Sequence, residues 1–237
     1  MWSRSQLKEN GKQMFRRNYW ACVGAAFLMG LFSVAGGSQG TNISQTLDHN
    51  NGSYGGYGYM NTVIMTTVVI TVLVISLLVM VLKVFVGNLL EVGGTSFFIK
   101  NRTERPGVGE VLSSFKSGHY GNIVLTLFLR DLFIALWTLL FIVPGIIKSL
   151  EYLMVPYILA ENPAMNRKEA FAISKRMMDG QKWDVFVLGL SFIGWELLSA
   201  VTCGIVGIFY VNPYIKATYA ELYTFNKIKA YNEGYIR

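Results

Sequence analysis

The sequence predicts an all-α membrane protein: a polytopic bundle of about six transmembrane helices, arranged as three hairpins that each follow a short amphipathic cytoplasmic helix. Three observations predict it. Of 237 residues, 52% are apolar and only 15% charged, whereas soluble domains carry about 25% charged residues. The run Met60 to Leu82 contains no charge, and about 20 apolar residues in a helix cross a hydrocarbon core of roughly 30 Å. The third observation is where the 21 lysines and arginines lie.

Their sum, a net charge of +7, would suit a nucleic-acid partner, but their distribution reads as topology and no nucleic acid is expected. Arg4, Lys8, Lys12, Arg16 and Arg17 precede the first apolar run, and Lys100, Arg102, Arg105 and Lys116 separate the second from the third. Arg167, Lys168, Lys175, Arg176 and Lys182 separate the fourth from the fifth, and Lys227, Lys229 and Arg237 close the chain. The alternate loops, near 36–61, 143–145 and 201–205, contain none. By the positive-inside rule both termini and the basic loops face the cytoplasm, as in a multi-pass protein of the cell membrane.

Residues 1–237 then form one transmembrane domain of three units, about 1–100, 101–161 and 162–237. The first span is Tyr19 to Ala35. Its basic start also resembles a signal peptide with Ser33 and Ala35 at a cleavage site, but its removal would break the charge alternation. The outer loop, about 36–59, is rich in Gly, Asn, Ser and Tyr without a period and is expected to lack fixed structure. After the second span, Met60 to Leu82, an amphipathic helix can continue towards Phe98, since no breaker precedes Gly93 and Gly94. The third span is Gly121 to Val143.

The fourth, Ile146 to Ala160, reaches only about 23 Å at 1.5 Å per residue. It must therefore thin the bilayer, begin within protein, or continue past Glu161. The fifth and sixth are Trp183 to Ala200 and Ile205 to Tyr223. Cys22 and Cys203 fall near opposite ends of their spans, too far apart for a disulfide, so two free thiols are expected.

An internal repeat is suggested by three anchors. Lys12 stands eight residues before Trp20, Leu112 eight before Tyr120 and Lys175 eight before Trp183, and each aromatic suits the headgroup region at the start of a span. Gly145 with Pro156 to Ile158, and Gly204 with Pro213 to Ile215, extend the parallel. Three related hairpins would explain it; so would chance similarity among apolar runs.

Trp2, Arg4, Leu7, Lys8 and Lys12 leading to Asn18, Tyr19 and Trp20 form one recognisable block, with Phe115, Gly118 and Tyr120 a second. Pro144, Gly145 and Tyr152 precede Glu161, Asn162 and Pro163; Ala170, Ser174, Met177 and Gly180 follow, then Pro213, Tyr214, Ala217, Thr218, Glu221 and Tyr223. Over nearly its whole length the chain thus resembles a family of bacterial integral membrane proteins known as domain of unknown function 975. The second half is also faintly similar to the membrane portion of some glycerophosphodiester phosphodiesterases. The resemblance implies a polytopic plasma-membrane protein and no particular activity.

Zinc hydrolysis needs closely spaced His, Cys or carboxylate ligands, yet the two histidines are His49 in the outer loop and His119 near the inner interface. Walker A, G-x-S-x-G and H-E-x-x-H signatures are likewise missing from the sequence, so no catalytic residue, metal or cofactor is assigned. What remains is a set of ionisable residues inside spans: Arg130, Asp131, Lys148, Glu151, Glu196, Lys216 and Glu221. At a helix centre Arg, Lys or Asp costs about 2.5–3.5 kcal/mol on insertion scales, so such groups are paired or wet. Lys148 and Glu151, three apart, can pair on one helix face.

This polar network is either a pathway or headgroup pocket between hairpins, or a set of buried salt bridges that fixes helix register. Pro156 and Pro213 can kink their helices and free a carbonyl one turn earlier. Asn166 to Asp179 places Ala170, Ile173 and Met177 on one side and Arg167, Lys168, Lys175 and Arg176 mostly elsewhere. That pattern suits a helix lying on the lipid bilayer at anionic headgroups of the inner leaflet, or one that binds a membrane protein partner. The expected function is a non-enzymatic membrane component that supports a partner or organises lipid. The alternative is a small transporter or lipid translocator that uses the buried charges.

Overall fold

A computed structural model describes residues 2–30 and 57–236, with side chains in the second stretch from Thr62 onward. The tail of the expected first span, most of the outer loop, His49 and Ser53 lie outside the described residues. Among those residues all regular structure is helical: α1 (Arg4–Arg17), α2 (Tyr19–Gly30), α3 (Tyr57–Leu82), α4 (Asn88–Lys100), α5 (Ser113–Lys116), α6 (Tyr120–Leu140) and α7 (Ile142–Glu151). Then come α8 (Val155–Glu161), α9 (Arg167–Met177), α10 (Lys182–Leu190), α11 (Ile193–Val201) and α12 (Asn212–Asn232). Among the described residues four helical stretches are long and apolar enough to cross a membrane: Thr62–Lys100, Tyr120–Leu140, Ile142–Glu161 and Lys182–Val201. The segment expected as the sixth span becomes a π-helical turn, Gly207–Val211, and α12. It is absent from those four because Lys216, Glu221, Lys227 and Lys229 make α12 too polar.

The second span does not stop at Leu82. Helix continues through a π-helical turn, Lys83–Gly87, into α4, for 39 residues from Thr62 to Lys100, about 58 Å and nearly twice a hydrocarbon core. The expected amphipathic continuation is instead buried all round. Leu89, Val92, Phe97 and Phe98 are inside, and so are Asn88, Thr95 and Ser96, whereas nearly every α3 residue from Thr62 onward is exposed. A helix without a polar face suits a core or lipid; this one is enclosed along α4 and, along α3, exposed and apolar enough to cross a membrane, and the π turn marks the change. Gly93 and Gly94 do not break it, because they admit neighbours instead. A Cβ at Gly93 would overlap the Val111 carbonyl and one at Gly94 the Met29 side chain.

Packing divides the chain into a dense base and exposed arms. In the base α1 lies along α12 with Gly11 against Thr218, and α4 is flanked by α2, α8 and α12. Phe15, Phe97, Phe98, Ile123, Met154, Leu159, Met177 and Leu222 are sealed inside it. The arms are α3, the far half of α6 with the start of α7, and α11 with the turn after it, where Leu139–Val143, Val201 and Ile205 are all more than 60% exposed. In lipid, apolar side chains gain nothing by leaving the solvent, so arms need not pack together. The base contains buried polar groups and requires close packing.

The stretches ahead of Trp20, Tyr120 and Trp183 differ from one another. Two contain amphipathic helices, each with a side-chain cap: Ser3 Oγ accepts from the Gln6 N–H and Asn166 Oδ1 from the Lys168 N–H. The stretch before Tyr120 is a 3₁₀ turn, Val108–Leu112, and the single-turn α5; Pro106, Gly107 and Gly109 disfavour a longer helix there. Ala170, Ile173 and Met177 of α9 face the bundle while Arg167, Lys168, Lys175 and Arg176 face out. The apolar side of α9 is therefore occupied by protein. Only its charge is free to meet a surface.

Both prolines stand in the first turn of a helical element: Pro156 in α8, after the turn at 152–154, and Pro213 in α12, directly after the π-helical turn Gly207–Val211. The carbonyl of Tyr152, four residues before Pro156, accepts from the Val155 N–H instead. Ser174 of α9 closes the same break, donating to the Glu151 carbonyl at 2.7 Å and accepting from the Met154 N–H at 3.2 Å. Cys22 is buried and Cys203 exposed, and both are free thiols.

Gly93→Ala is expected to lower thermal stability by about 1–3 kcal/mol, the usual cost of overpacking, because it meets backbone that cannot swing aside. Gly121→Ala, with open space around it, should be neutral or slightly stabilising. Thermal unfolding of both variants in the same lipid disc measures the difference.

Candidate functional site

Arg130 stands at the midpoint of α6, about 15 Å from either end. Its guanidinium forks onto Glu91 of α4, Nη1 to Oε1 at 2.7 Å and Nη2 to Oε2 at 3.0 Å. Its Nε donates to Asp131 Oδ1 at 2.9 Å. The bidentate geometry suits a guanidinium and makes the pairing directional. Glu91 is outside the set expected from the sequence. Its signal is present there, since it is the one charge between Lys83 and Lys100, and a lone carboxylate in so apolar a stretch must have a partner.

A cavity of about 310 Å³ adjoins this cluster. Glu91 and Thr95 of α4, Arg130 and Asp131 of α6, and Lys216 and Tyr219 of α12 line it, together with Ser149, Tyr152 and Tyr157 from the α7–α8 segment. Lys216 is half-buried and makes no hydrogen bond or ion pair among the described residues. The Tyr157 and Tyr219 hydroxyls also have no hydrogen-bond partner there. Local chain geometry explains the convergence: Glu91 lies four residues past the π turn that ends at Gly87 and Lys216 five past the one that ends at Val211. Pro156 lines the cavity from the first turn of α8. Three helices that follow an irregular turn, α4, α8 and α12, thus meet around one polar space.

The remaining expected residues separate into other groups. Lys148 pairs with Glu151 at 2.7 Å, as their spacing predicts, and Lys182 from α10 joins from the other side at 2.7 Å; Glu151 is only 5% exposed. Glu221 pairs instead with Arg102, Nε to Oε1 at 2.8 Å, because its place on α12 faces the end of α4. Glu196 is exposed on α11 and has no partner among the described residues. It therefore joins neither network. Trp20, Tyr120 and Trp183 stand in the first turns of α2, α6 and α10 with their side chains exposed.

A comparison with protein families matches residues 142–230 to the model described as "Protein of unknown function (DUF975)". This stretch is similar to the DUF975 family model. It takes in Lys148, Glu151, Pro156, Lys216 and Glu221, while Glu91, Arg130 and Asp131 lie before it. The chamber is thus lined partly by the matched stretch and partly by helices preceding it. No curated protein and no solved structure matches the chain.

Breaking the clamp should cost far more than breaking an exposed pair. Arg130→Ala is expected to destabilise by about 3 kcal/mol, the low end for a broken buried pair, because it leaves the part-buried Glu91 and Asp131 without their shared cation. Lys227→Ala, which removes a half-exposed partner of Glu161, should cost less than about 1 kcal/mol. A second change, Glu91→Gln, should recover part of the Arg130→Ala loss. Equal unfolding temperatures for the two single variants would remove the clamp from the account.

Proposed function

We propose that this protein is a small membrane transporter or translocator whose ligand occupies the chamber among α4, α6, α8 and α12. The observation that carries the reading is Lys216. A lysine lining the chamber beside the Arg130–Glu91–Asp131 cluster feels the Glu91 charge but makes no hydrogen bond or ion pair among the described residues. A register-fixing network leaves no cation over, whereas a site that must release its ligand keeps a group free to receive it. The paired Lys148–Glu151–Lys182 cluster supplies register without entering the chamber and is the scaffold part of the design.

The membrane arrangement that goes with this reading has three hairpins in the plasma membrane of a bacterium, with the termini, α9 and the basic loops in the cytoplasm. The exposed Arg167, Lys168, Lys175 and Arg176 then face the inner leaflet, where each cation near an anionic surface contributes about 1 kcal/mol of attraction. A supporting role for a protein partner is the competing function. It calls for a dry chamber.

Water access decides between them. In a Cys203→Gly background, Ser149→Cys in a lipid disc should react with a small charged thiol reagent, while Leu136→Cys on the lipid-facing side of α6 should not. Two unreactive positions would mean a dry, closed network and would favour the supporting role. In whole cells a thiol introduced by Ser53→Cys should be modified from outside and one introduced by Asp179→Cys only after permeabilisation; the opposite pattern reverses the orientation.

A further inference from the structure

The chamber's charge is unevenly placed, and this points to the class of ligand. Arg130 carries one positive charge against two carboxylates, so the clamp keeps an excess of one negative charge. Asp131 is its more open end, 37% exposed at the side chain, with Oδ1 held by Arg130 and Oδ2 free of hydrogen bonds among the described residues. The compensating charge is Lys216, on a different helix and bound to none of the described residues. The space between is therefore dipolar, with a free ammonium on one side and a half-free carboxylate on the other. Simple anions or cations satisfy one end and leave the other bare in low dielectric.

A second cavity, about 560 Å³, continues from the first. Asp131 and Ile134 line the two in common, and Ala135, Thr138 and Leu139 carry the second along α6. Beyond Asp131 its one polar side chain is Thr138, whose hydroxyl already donates to the Ile134 carbonyl at 2.8 Å. Leu139 at its far end is 84% exposed. A polar chamber thus opens into an apolar groove on the lipid side of an arm.

From this juxtaposition we infer that the ligand is a zwitterionic amphiphile, a lipid with an ammonium–phosphate headgroup. Its anionic oxygen meets Lys216 with the Tyr157 and Tyr219 hydroxyls within the same chamber, its ammonium meets Asp131 Oδ2, and its chain lies along Ile134 to Leu139. The occupant follows from charge complementarity: both free ends are satisfied together, net charge is unchanged on binding, and the apolar groove begins at the carboxylate. The inference rests on the open-chamber reading above.

The test follows the thiol introduced by Ser149→Cys, in discs of phosphatidylglycerol with increasing phosphatidylethanolamine of identical chains. Phosphatidylethanolamine should slow labelling about tenfold, the scale of one charge-assisted hydrogen bond gained over the phosphatidylglycerol reference. Lys216→Gln should abolish the slowing without lowering the unfolding temperature, since Lys216 holds no other described part of the protein; Asp131→Asn should reduce it. Ala135→Trp, which fills the groove, should remove protection by the lipid.

Equal labelling in the two lipids, or full protection in Lys216→Gln, overturns the zwitterion assignment. Protection by water-soluble glycerophosphoethanolamine as strong as that by the lipid overturns the amphiphile and leaves a soluble zwitterion. An introduced thiol that is unreactive even in phosphatidylglycerol alone overturns the open chamber and this inference with it. A reactive one that phosphatidylethanolamine fails to protect overturns this inference only.

Discussion

A guanidinium halfway along an apolar helix is the constraint on which this structure turns. Arg130 stays charged under any accessible condition, so α6 can occupy a membrane only if carboxylates meet it there. Asp131 supplies one by local geometry. The other, Glu91, must come from another element at matching depth, and this requirement accounts for the unusual helix Thr62–Lys100. Had the chain turned at Leu82, as a simple hairpin would, Glu91 would not reach Arg130 and Asp131 alone would face it. Continuing the helix for three more turns carries Glu91 into place and makes α4 the member around which α2, α6, α8 and α12 collect.

Once α4 is central, much else is fixed. A helix wrapped on all sides needs close approach somewhere, and Gly93 and Gly94 provide it for Val111 and Met29. Its last carbonyls are met by the backbone of the turn that follows, and Arg17 holds that turn by donating to the carbonyls of Asn101, Arg102 and Glu104. Asn101, fully buried, is satisfied by Met14, Cys22 and Asn18. The junction of α1 and α2 is thereby tied to the end of α4. The two neighbouring arginines therefore differ: Arg16 stays exposed while Arg17 is used to hold the turn after α4.

What the sequence reveals follows from how local each feature is. Composition and apolar runs expose the helices, and the i, i+3 spacing exposes Lys148–Glu151. Arg130, Asp131 and Lys216 stand out as costly charges and share one chamber. Glu91 escapes because hydropathy closes the span before it, although a helix has no reason to stop where its environment changes from lipid to protein. Lys182 with Glu151 and Arg102 with Glu221 are separated by 31 and 119 residues. No periodicity reports such pairs. Depth alone groups Glu196 with the network, and depth does not determine the direction a side chain faces.

The irregular turns carry the last step. A π turn adds a residue to a helical turn and rotates everything beyond it relative to what came before. In α3–α4 the residues before the turn are exposed and those beyond it are enclosed; on α12 the residues beyond its turn enter the same enclosure. In the α7–α8 segment a break at 152–154 does the equivalent work, with Ser174 satisfying the backbone groups it frees. Each device is tolerated because protein, not lipid, surrounds it, since irregular backbone at membrane depth is stable only inside protein or beside water. The three irregularities therefore mark, from the backbone alone, the place in the bundle where a polar space can exist. Arg130, Asp131 and Lys216 mark the same place from their charges.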